Sequence, residues 1–292
     1  MNKKRKNHNS STSERVIGEF AGRPVRVIIV VISLIAVLFP VYWLIANSLR
    51  TKTDYLANPP ILFGASVTFQ NYEKILFENG IFKEFLNNFI VASISTVIAV
   101  IFGSMAAYAT VRGKIAKKIR AFFGLWFMIQ KMYPAIATAI PVYLVMGNLH
   151  LIDTHIALII MNTSFNLPLV IWLMMGFFEQ IPIDLEESAK IDGANFIQRF
   201  FRIIFPVTTP GIIASAILAF VGAWNEFLFA VILSVNRAKT LPVVIAGFIT
   251  DRGLEWGAMA ATSVITLLPI LIVVWLLQKN FVQGLAMGAV KG

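Results

Sequence analysis

The side chains that could do catalytic chemistry are few in this chain, and their spacing fits none of the common enzyme sites. Cysteine is absent, which excludes disulfides, cysteine-ligated metals and thiol catalysis. The three histidines, His8, His150 and His155, lack metal-site spacing. The latter two flank Asp153 in a short turn, where we expect solvated side chains. The phosphate-binding pattern G-x-x-x-x-G-K-[ST] does not occur. We therefore expect no enzyme, no bound metal and no cofactor in this chain.

The charged segment Asp184–Gly193 is the part of the sequence best suited to contact another protein. Asp184 is a good N-cap residue, and Glu187 stands three residues later, as in a capping box, so a short helix is predicted here. Gly193 suits the left-handed conformation that ends a helix. A second helix is predicted to start at Asn195.

This second helix has one apolar side and one basic side. Phe196, Phe200 and Ile203 recur at helical spacing, two arginines lie on another side, and Pro206 ends the helix. The pair of helices fits a docking element that offers charges to a partner while its apolar stripe packs under its own bundle. An amphipathic helix lying on lipid fits the same pattern about equally well.

Polar groups inside apolar stretches are costly in lipid and are candidates for a transport pathway. Lys131 either lines such a pathway, pairs with a carboxylate such as Glu226, or contacts backbone or another subunit. Asn225 and Glu226 fit either a gate or a structural hydrogen bond. A sugar would need polar groups beside an aromatic face. Three residues are candidates for that face: Tyr133, Trp172 and Trp224.

These residues lie in a chain with the composition of a membrane protein. It is 58% hydrophobic and 14% charged, with a mean hydropathy of +0.76. A transmembrane helix needs about 20 apolar residues. Six stretches qualify: 27–49, 85–111, 121–149, 156–178, 203–225 and 256–278. The fourth contains Pro168 after several polar residues, which favours a helix break. The fifth should continue to about Leu233. We predict an all-α, polytopic membrane protein with six transmembrane helices.

The basic residues predict the orientation of these six spans. The segments on the side of the termini carry 17 Lys and Arg residues, and the opposite segments carry 7. Because basic loops stay in the cytoplasm, both termini are expected there, in a multi-pass protein of the plasma (inner) membrane. This bias also accounts for the net charge of +10, so no nucleic-acid partner is expected.

The predicted spans and their orientation divide the chain into three parts. Residues 1–26 form a polar cytoplasmic segment with a disordered start, and residues 27–283 form one transmembrane domain with its cytoplasmic loop at 179–206. Residues 284–292 form a cytoplasmic tail with little reason to fold alone.

The 179–206 loop resembles the "EAA" loop of ATP-binding-cassette (ABC) importer permeases, whose pattern is E-A-A-x3-G-x9-I-x-L-P. The matching positions are Glu187, Ser188, Ala189, Gly193, Ile203 and Pro206. The chain departs from the pattern at Ser188 and at Phe205, and both replacements are mild. The resemblance implies that this loop couples the permease to its ATPases, with Asp192 and Ala194 also taking part.

Three segments are similar to the carbohydrate-uptake branch of that family: Asp192–Ala194 in the loop, Trp224–Phe227, and the tail. The tail resembles that of the maltose-type second permease subunit and includes Gly284, Gly288, Lys291 and Gly292. The resemblance implies a type I ABC importer permease fold. It also implies a heterodimer with a homologous permease, two ATPase subunits that bind ATP and Mg, and an external solute-binding protein. The pathway residues expected here are Lys131, Tyr133, Asn225 and Glu226.

Other functions fit some of the same sequence features. An ABC importer permease of this kind could carry a polyol, glycerol phosphate or polyamine instead of a sugar. A secondary transporter would keep the spans but has no need of the docking loop, and a purely structural bundle does not account for Lys131 or for the helix breaks. The leading hypothesis is the permease subunit of a sugar importer.

Overall fold

The computed structural model describes residues 7–113, 115–250 and 253–289, and its regular structure is almost entirely helical. The α-helices, numbered in chain order, are α1 Asn7–Ser48, α2 Lys52–Tyr55, α3 Gln70–Glu73, α4 Phe82–Arg112, α5 Lys117–Met132, α6 Ala139–Asn148, α7 His155–Gln180, α8 Asp184–Ile191, α9 Phe196–Arg199, α10 Phe205–Val207, α11 Thr209–Trp224, α12 Leu228–Leu233, α13 Leu241–Gly247 and α14 Trp256–Ala289. Lys74–Glu78 and Phe200–Ile204 are π-helical, and Ala135–Thr138 is a 3₁₀ turn. A small antiparallel ribbon, β1 Ile249–Thr250 and β2 Gly253–Leu254, precedes α14.

Four helices in the described ranges are long and apolar enough to cross a membrane: Val25–Ser48 within α1, Phe82–Arg112, His155–Gln180 and the Trp256–Gln278 part of α14. The pair Phe196–Val207 and Thr209–Trp224, bent by 81°, brings the number to five if it is one span. The all-α membrane class is confirmed, and the count of six continuous helices is not.

The third predicted span is the one that is broken. The helix α5 ends at Met132, Tyr133 is extended, and a 3₁₀ turn leads into α6. The cause is Pro134, because proline disfavours the helical conformation in the residue before it. The expected break at Pro168 does not occur, since α7 continues through that residue.

The fifth predicted span also differs from expectation. Pro206 does not end the second loop helix but lies within α10, and the sharp bend comes at Thr208. The span does not continue past Glu226 either, because α11 ends at Trp224 and α12 starts only at Leu228.

Both ends of the described chain are helical. The helix α1 begins at Asn7 and includes the rest of the polar 1–26 segment. The disordered start predicted for this segment includes residues 1–6, which lie outside the described residues. The helix α14 continues to Ala289, so Gly284 and Gly288 extend the last helix. The predicted tail residues Lys291 and Gly292 lie outside the described residues.

The core forms where α4, α7 and α11 pack together. Within a membrane such packing depends on close contact more than on exclusion of water. Gly103 of α4 permits this contact, because a Cβ there would lie 2.7 Å from a methyl carbon of Val170 in α7. By contrast, the membrane-length part of α1 is Val25–Ser48, and no residue in its most apolar stretch is buried within this chain. In a bilayer those side chains face lipid or another chain.

Candidate functional site

Gly193 separates the two halves of the 179–206 loop. Its φ of +82° lies in the left-handed region, as predicted, and the Ala194 N–H donates to the Ala189 carbonyl at 2.9 Å to close the end of α8. A Cβ at position 193 would meet no atom within 4 Å. The requirement for glycine therefore comes from the backbone conformation and not from crowding.

The capping interactions of the two loop helices differ from the prediction. Asp184 is not an N-cap; it lies in the first turn of α8, and Ile183 precedes the helix without a side-chain cap. The capping box forms at the next helix instead. Asn195 Oδ1 accepts the Gln198 N–H at 2.8 Å, and Gln198 Oε1 accepts the Asn195 N–H at 2.9 Å. Asp184 still stabilises α8 as a negative charge near its N-terminus.

Glu186, which was not among the predicted site residues, anchors this loop to the bundle. Its side chain is 3% exposed. Arg112 Nε at the end of α4 donates to Oε1 at 2.6 Å, and the Tyr108 hydroxyl donates to Oε2 at 2.8 Å. Arg112 Nη2 also donates to the carbonyls of Phe178 and Ile181, at 2.8 and 2.6 Å. One arginine therefore joins α4, the end of α7 and α8.

Aromatic packing supports the same attachment. The Phe200 ring is buried, with its centroid 5.1 Å from that of Tyr108. The Phe196 ring lies 4.7 Å from Tyr108, and Ile203 packs against the same core at its edge. The apolar stripe therefore lies under the protein's own bundle.

The opposite side of α8 is open. Glu187, Ser188 and Asp192 are exposed, and Ala189 is buried. Ile191 is 87% exposed, the largest exposed fraction among the large apolar side chains that the structure describes. Ile191 was not among the predicted site residues, although an apolar residue beside acids at a helix end is a visible signal. This face can bind a partner through one apolar contact with the acids Glu187 and Asp192 and the base Lys190 beside it.

A cavity of about 400 Å³ opens between α5 and α7 at the break after Met132. Its lining combines three aromatic rings and two other apolar side chains with the Gln130 amide and the Ser164 hydroxyl. The lining residues are Trp126, Ile129, Gln130, Tyr133, Ser164, Phe165 and Pro168. Small-molecule sites have this size and this mixture of apolar walls and a few polar groups.

Lys131 lies beside this cavity but does not pair with Glu226. Its Nζ donates to the Phe165 carbonyl at 3.0 Å, one turn before Pro168. The Glu226 carboxylate instead accepts the N–H groups of Phe229 and Ala230, at 2.7 and 3.0 Å, and so caps α12. The proposed Lys131–Glu226 pair is therefore wrong.

Two other candidates have structural contacts. Asn225 Nδ2 donates to the Val221 carbonyl at 2.8 Å. Trp224 is fully buried, and its indole N–H donates to the Thr266 carbonyl at 3.0 Å, so it cannot offer a face to a solute. Trp172 is 44% exposed but does not line the cavity.

The turn between α6 and α7 holds the loop that follows α12. Asp153 accepts the backbone N–H groups of residues 235–238 at distances from 2.9 to 3.1 Å. Burial raises the pKa of Asp153, but these four donors outweigh it and hold that pKa well below its usual range. His155 is not simply solvated, since its Nε2 lies 2.7 Å from Asn87 Oδ1. Among the described residues, no cluster of three or more acidic or histidine side chains could hold a metal ion.

The chain is similar in sequence to known membrane transport proteins. Residues 99–286 match the family model for the inner membrane component of binding-protein-dependent transport systems. The chain is 33% identical to the sulfoquinovosyl glycerol transport system permease protein SmoH of Agrobacterium fabrum, over 97% of this chain and 99% of that protein. It is 39% identical to the trehalose transport system permease protein SugB of Mycobacterium tuberculosis, over 87% of this chain and 93% of that protein.

A solved structure shares the fold. A chain of a bacterial ABC transporter that imports the acidic polysaccharide alginate superposes with a TM-score of 0.73 at 23% identity. The match covers 92% of this chain and 98% of that one.

Proposed function

This chain belongs to the family of binding-protein-dependent transport system inner membrane components, and from that membership we propose that it is the permease subunit of an importer for a sugar or oligosaccharide. It is a multi-pass membrane protein and a transport component, not an enzyme, and it works with other ABC transporter subunits. The carbohydrate substrate is supported by the names of SmoH and SugB. It is also supported by the cavity between α5 and α7, where aromatic rings stand beside an amide and a hydroxyl.

The partners follow from the same proposal. The chain pairs with a homologous permease to form a pathway that opens alternately to the two sides. Two ATPase subunits bind ATP and Mg on the cytoplasmic side, and a solute-binding protein delivers the sugar from outside. We propose that both termini are cytoplasmic. Because the chain has no cysteine, Ser66→Cys and Ser10→Cys test this directly. An impermeant maleimide should label the first in intact cells and not the second, and labelling of Ser10→Cys would reverse the orientation.

The observation that carries the coupling part of the proposal is the exposed face of α8 beside the left-handed turn at Gly193. Glu187 and Asp192 present charge there, and Ile191 presents an apolar side chain. Such a face can seat in a groove of an ATPase and follow its motion. Ser188 lies on this exposed face itself. The remaining motif residues are proposed to hold the face in place: Ala189, Ala194, Ile203 and Pro206. Gly284, Gly288, Lys291 and Gly292 are proposed to bring the tail to the ATPases.

Two variants test the coupling role. Glu187→Lys should weaken assembly with the ATPase through charge reversal, and Glu187→Gln should do so less. Gly193→Val should break coupling through the turn, even where assembly survives, because a branched side chain is strained at φ +82°. The measurements are co-purification of the ATPase and binding-protein-stimulated ATP hydrolysis in proteoliposomes. Lys118→Glu, an exposed charge reversal at the start of α5, is the control. Normal assembly and stimulation in both loop variants would contradict the proposal.

The pathway part has its own test. Lys131 and Tyr133 are proposed to line the route at the break after α5, and Asn225 and Glu226 are proposed to line it at the break after α11. Trp126→Ala should raise the KM for uptake of trehalose, because a stacking surface for a sugar ring is lost. Trp172→Ala removes an exposed indole away from the cavity and serves as the control. Uptake of a polyol but of no sugar by the wild-type complex would point to the non-sugar alternative.

A further inference from the structure

One buried group of polar side chains attaches α8 to the rest of the protein, beside the aromatic packing of the loop. The charged Glu186 and Arg112 and the Tyr108 hydroxyl form this group, here called the α8 anchor. The Glu186 and Arg112 side chains are 3% and 13% exposed. The other ion pairs in the described ranges are more open: Lys74–Glu255 is 40% and 43% exposed, and the Arg237 side chain of Arg237–Asp153 is 80% exposed.

Both oxygens of the Glu186 carboxylate are occupied. Oε1 accepts from Arg112, and Oε2 accepts from Tyr108, whose ring is itself buried. A carboxylate held in this way cannot turn toward a partner protein. Glu186 therefore differs from its neighbour Glu187, which is exposed, and its role lies within the chain.

Arg112 connects the anchor to two long helices. It is the last residue of α4, and its Nη2 donates to two carbonyls at the end of α7. Since α4 and α7 pack along each other through Gly103 and Val170, a displacement of α8 reaches both helices through the Arg112 guanidinium group, and it also reaches α4 through the Tyr108 hydroxyl. The planar fork of arginine makes several directed hydrogen bonds at once, which a lysine ammonium cannot reproduce.

We propose that the α8 anchor is the joint that transmits movement of the docking helix to the spans α4 and α7, with Glu186 and Arg112 as positioning residues. This proposal rests on the proposed function, because it concerns how the coupling loop acts. It separates two tasks on one short helix: the exposed face binds the ATPase, and the buried face moves the bundle.

The test measures transport and ATP hydrolysis separately in proteoliposomes that contain the whole complex. Glu186→Gln and Arg112→Lys should each lower the number of sugar molecules transported per ATP by about fivefold or more, since coupling between two sites is typically of that size. The ATPase should still co-purify with both variants, because the exposed face of α8 is unchanged. Tyr108→Phe, which loses one hydrogen bond and keeps the ring, should have a smaller effect.

A double variant separates transmission from simple stability. Arg112→Met with Glu186→Leu removes both charges, so that no unpaired charge stays buried. It should recover insertion and ATPase co-purification relative to Arg112→Met alone, yet transport per ATP should stay low. Recovery of transport per ATP in the double variant would show that the anchor only stabilises the fold, and would overturn the proposal.

Lys118→Gln is the matched control, because it removes an exposed positive charge close to Arg112 in sequence and touches no part of the anchor. It should transport as the wild type does. If Glu186→Gln and Arg112→Lys also transport normally per ATP while the wild-type complex is coupled, the inference fails and the proposed function stands. If the wild-type complex neither binds an ATPase nor couples, the proposed function itself fails.

Discussion

The two ends of α4 hold neighbouring loops in different ways. At its C-terminal end, Arg112 pairs with Glu186, so one charged side chain holds another. Near its N-terminal end, about 37 Å away along the helix, Asn87 Nδ2 donates to the carbonyls of Arg237 and Lys239 at 2.8 and 2.9 Å. Asp153 accepts four backbone N–H groups of the same loop.

The two ends of α4 therefore differ in how strongly the attachment of the loop depends on particular residue types. At the Asn87 end most of these bonds are made to backbone, beside one open ion pair between Arg237 and Asp153. The identity of the loop residues therefore matters little, and the shape of the loop is held by many bonds. At the Arg112 end the attachment needs two particular residue types and can be changed by one substitution. The first arrangement suits a fixed support, and the second suits an element that passes on movement.

Four changes test this difference between the two ends of α4. Asp153→Ala should have the largest effect, because it leaves four backbone donors without their acceptor. The loss should be about 3 kcal/mol of stability at this end. Trypsin should then cleave after Arg237 or Lys239 much faster than in the wild type, and the melting temperature should fall. Glu73→Ala, an exposed acid at the same end, is the control. Equal cleavage rates in Asp153→Ala and the wild type would remove the distinction between the two ends.

The charge of Asp153 alone should account for part of that loss. Its folded pKa is lower than its unfolded pKa, which is about 3.9. Its stabilisation is therefore fully present above the ordinary pKa and is lost as pH falls through the folded value. The difference in melting temperature between the wild type and Asp153→Asn should be constant from pH 7 to about pH 5 and shrink below about pH 4. A difference that grows in acid would be the opposite of this expectation.

A third change tests the support at this end through close packing. Asn71 Nδ2 donates to the carbonyls of Ser48 and Arg50, at 3.0 and 2.8 Å, and Gly257 at the start of α14 leaves room for that side chain. A Cβ at position 257 would collide with Asn71. Gly257→Ala should cost about 2 kcal/mol, measured as a lower melting temperature. Gly247→Ala, where a Cβ meets nothing within 4 Å, should change it little, and equal effects of the two variants would argue against the role of Asn71.

The smallest effect should come from Ser188→Ala on α8. The Ser188 hydroxyl donates to the Asp184 carbonyl at 2.9 Å on an exposed face, a bond that competes weakly with the helix. Alanine, the residue in the family pattern, should be neutral or stabilise α8 by a few tenths of a kcal/mol. ATPase co-purification and transport per ATP should be unchanged. A large loss of either would mean that the hydroxyl itself contacts the ATPase.

Local features of the sequence were enough to predict several parts of the structure. The left-handed turn at Gly193 follows from glycine's backbone freedom, and the start of the second loop helix at Asn195 was also predicted. The capping box predicted at Asp184 was wrong, because the box forms at Asn195. The break before Pro134 was also visible as a local rule, but the apolar run around it favoured a single continuous span. Apolar length measures whether a segment can enter lipid, and it does not measure whether the segment stays helical.

Composition and the apolar stretches thus determined by themselves that this is a helical membrane protein, and the loop motif indicated an ABC importer permease. Only the tertiary structure decided which of two adjacent glutamates is an anchor. Glu186 and Glu187 are chemically identical, and the rotation of α8 against the bundle buries one and exposes the other. The partner of Glu186 is Arg112, 74 residues away, and Lys131 binds the Phe165 carbonyl rather than Glu226. Hydrogen bonds of this kind depend on distances between separate helices, and those distances are set by how the helices pack.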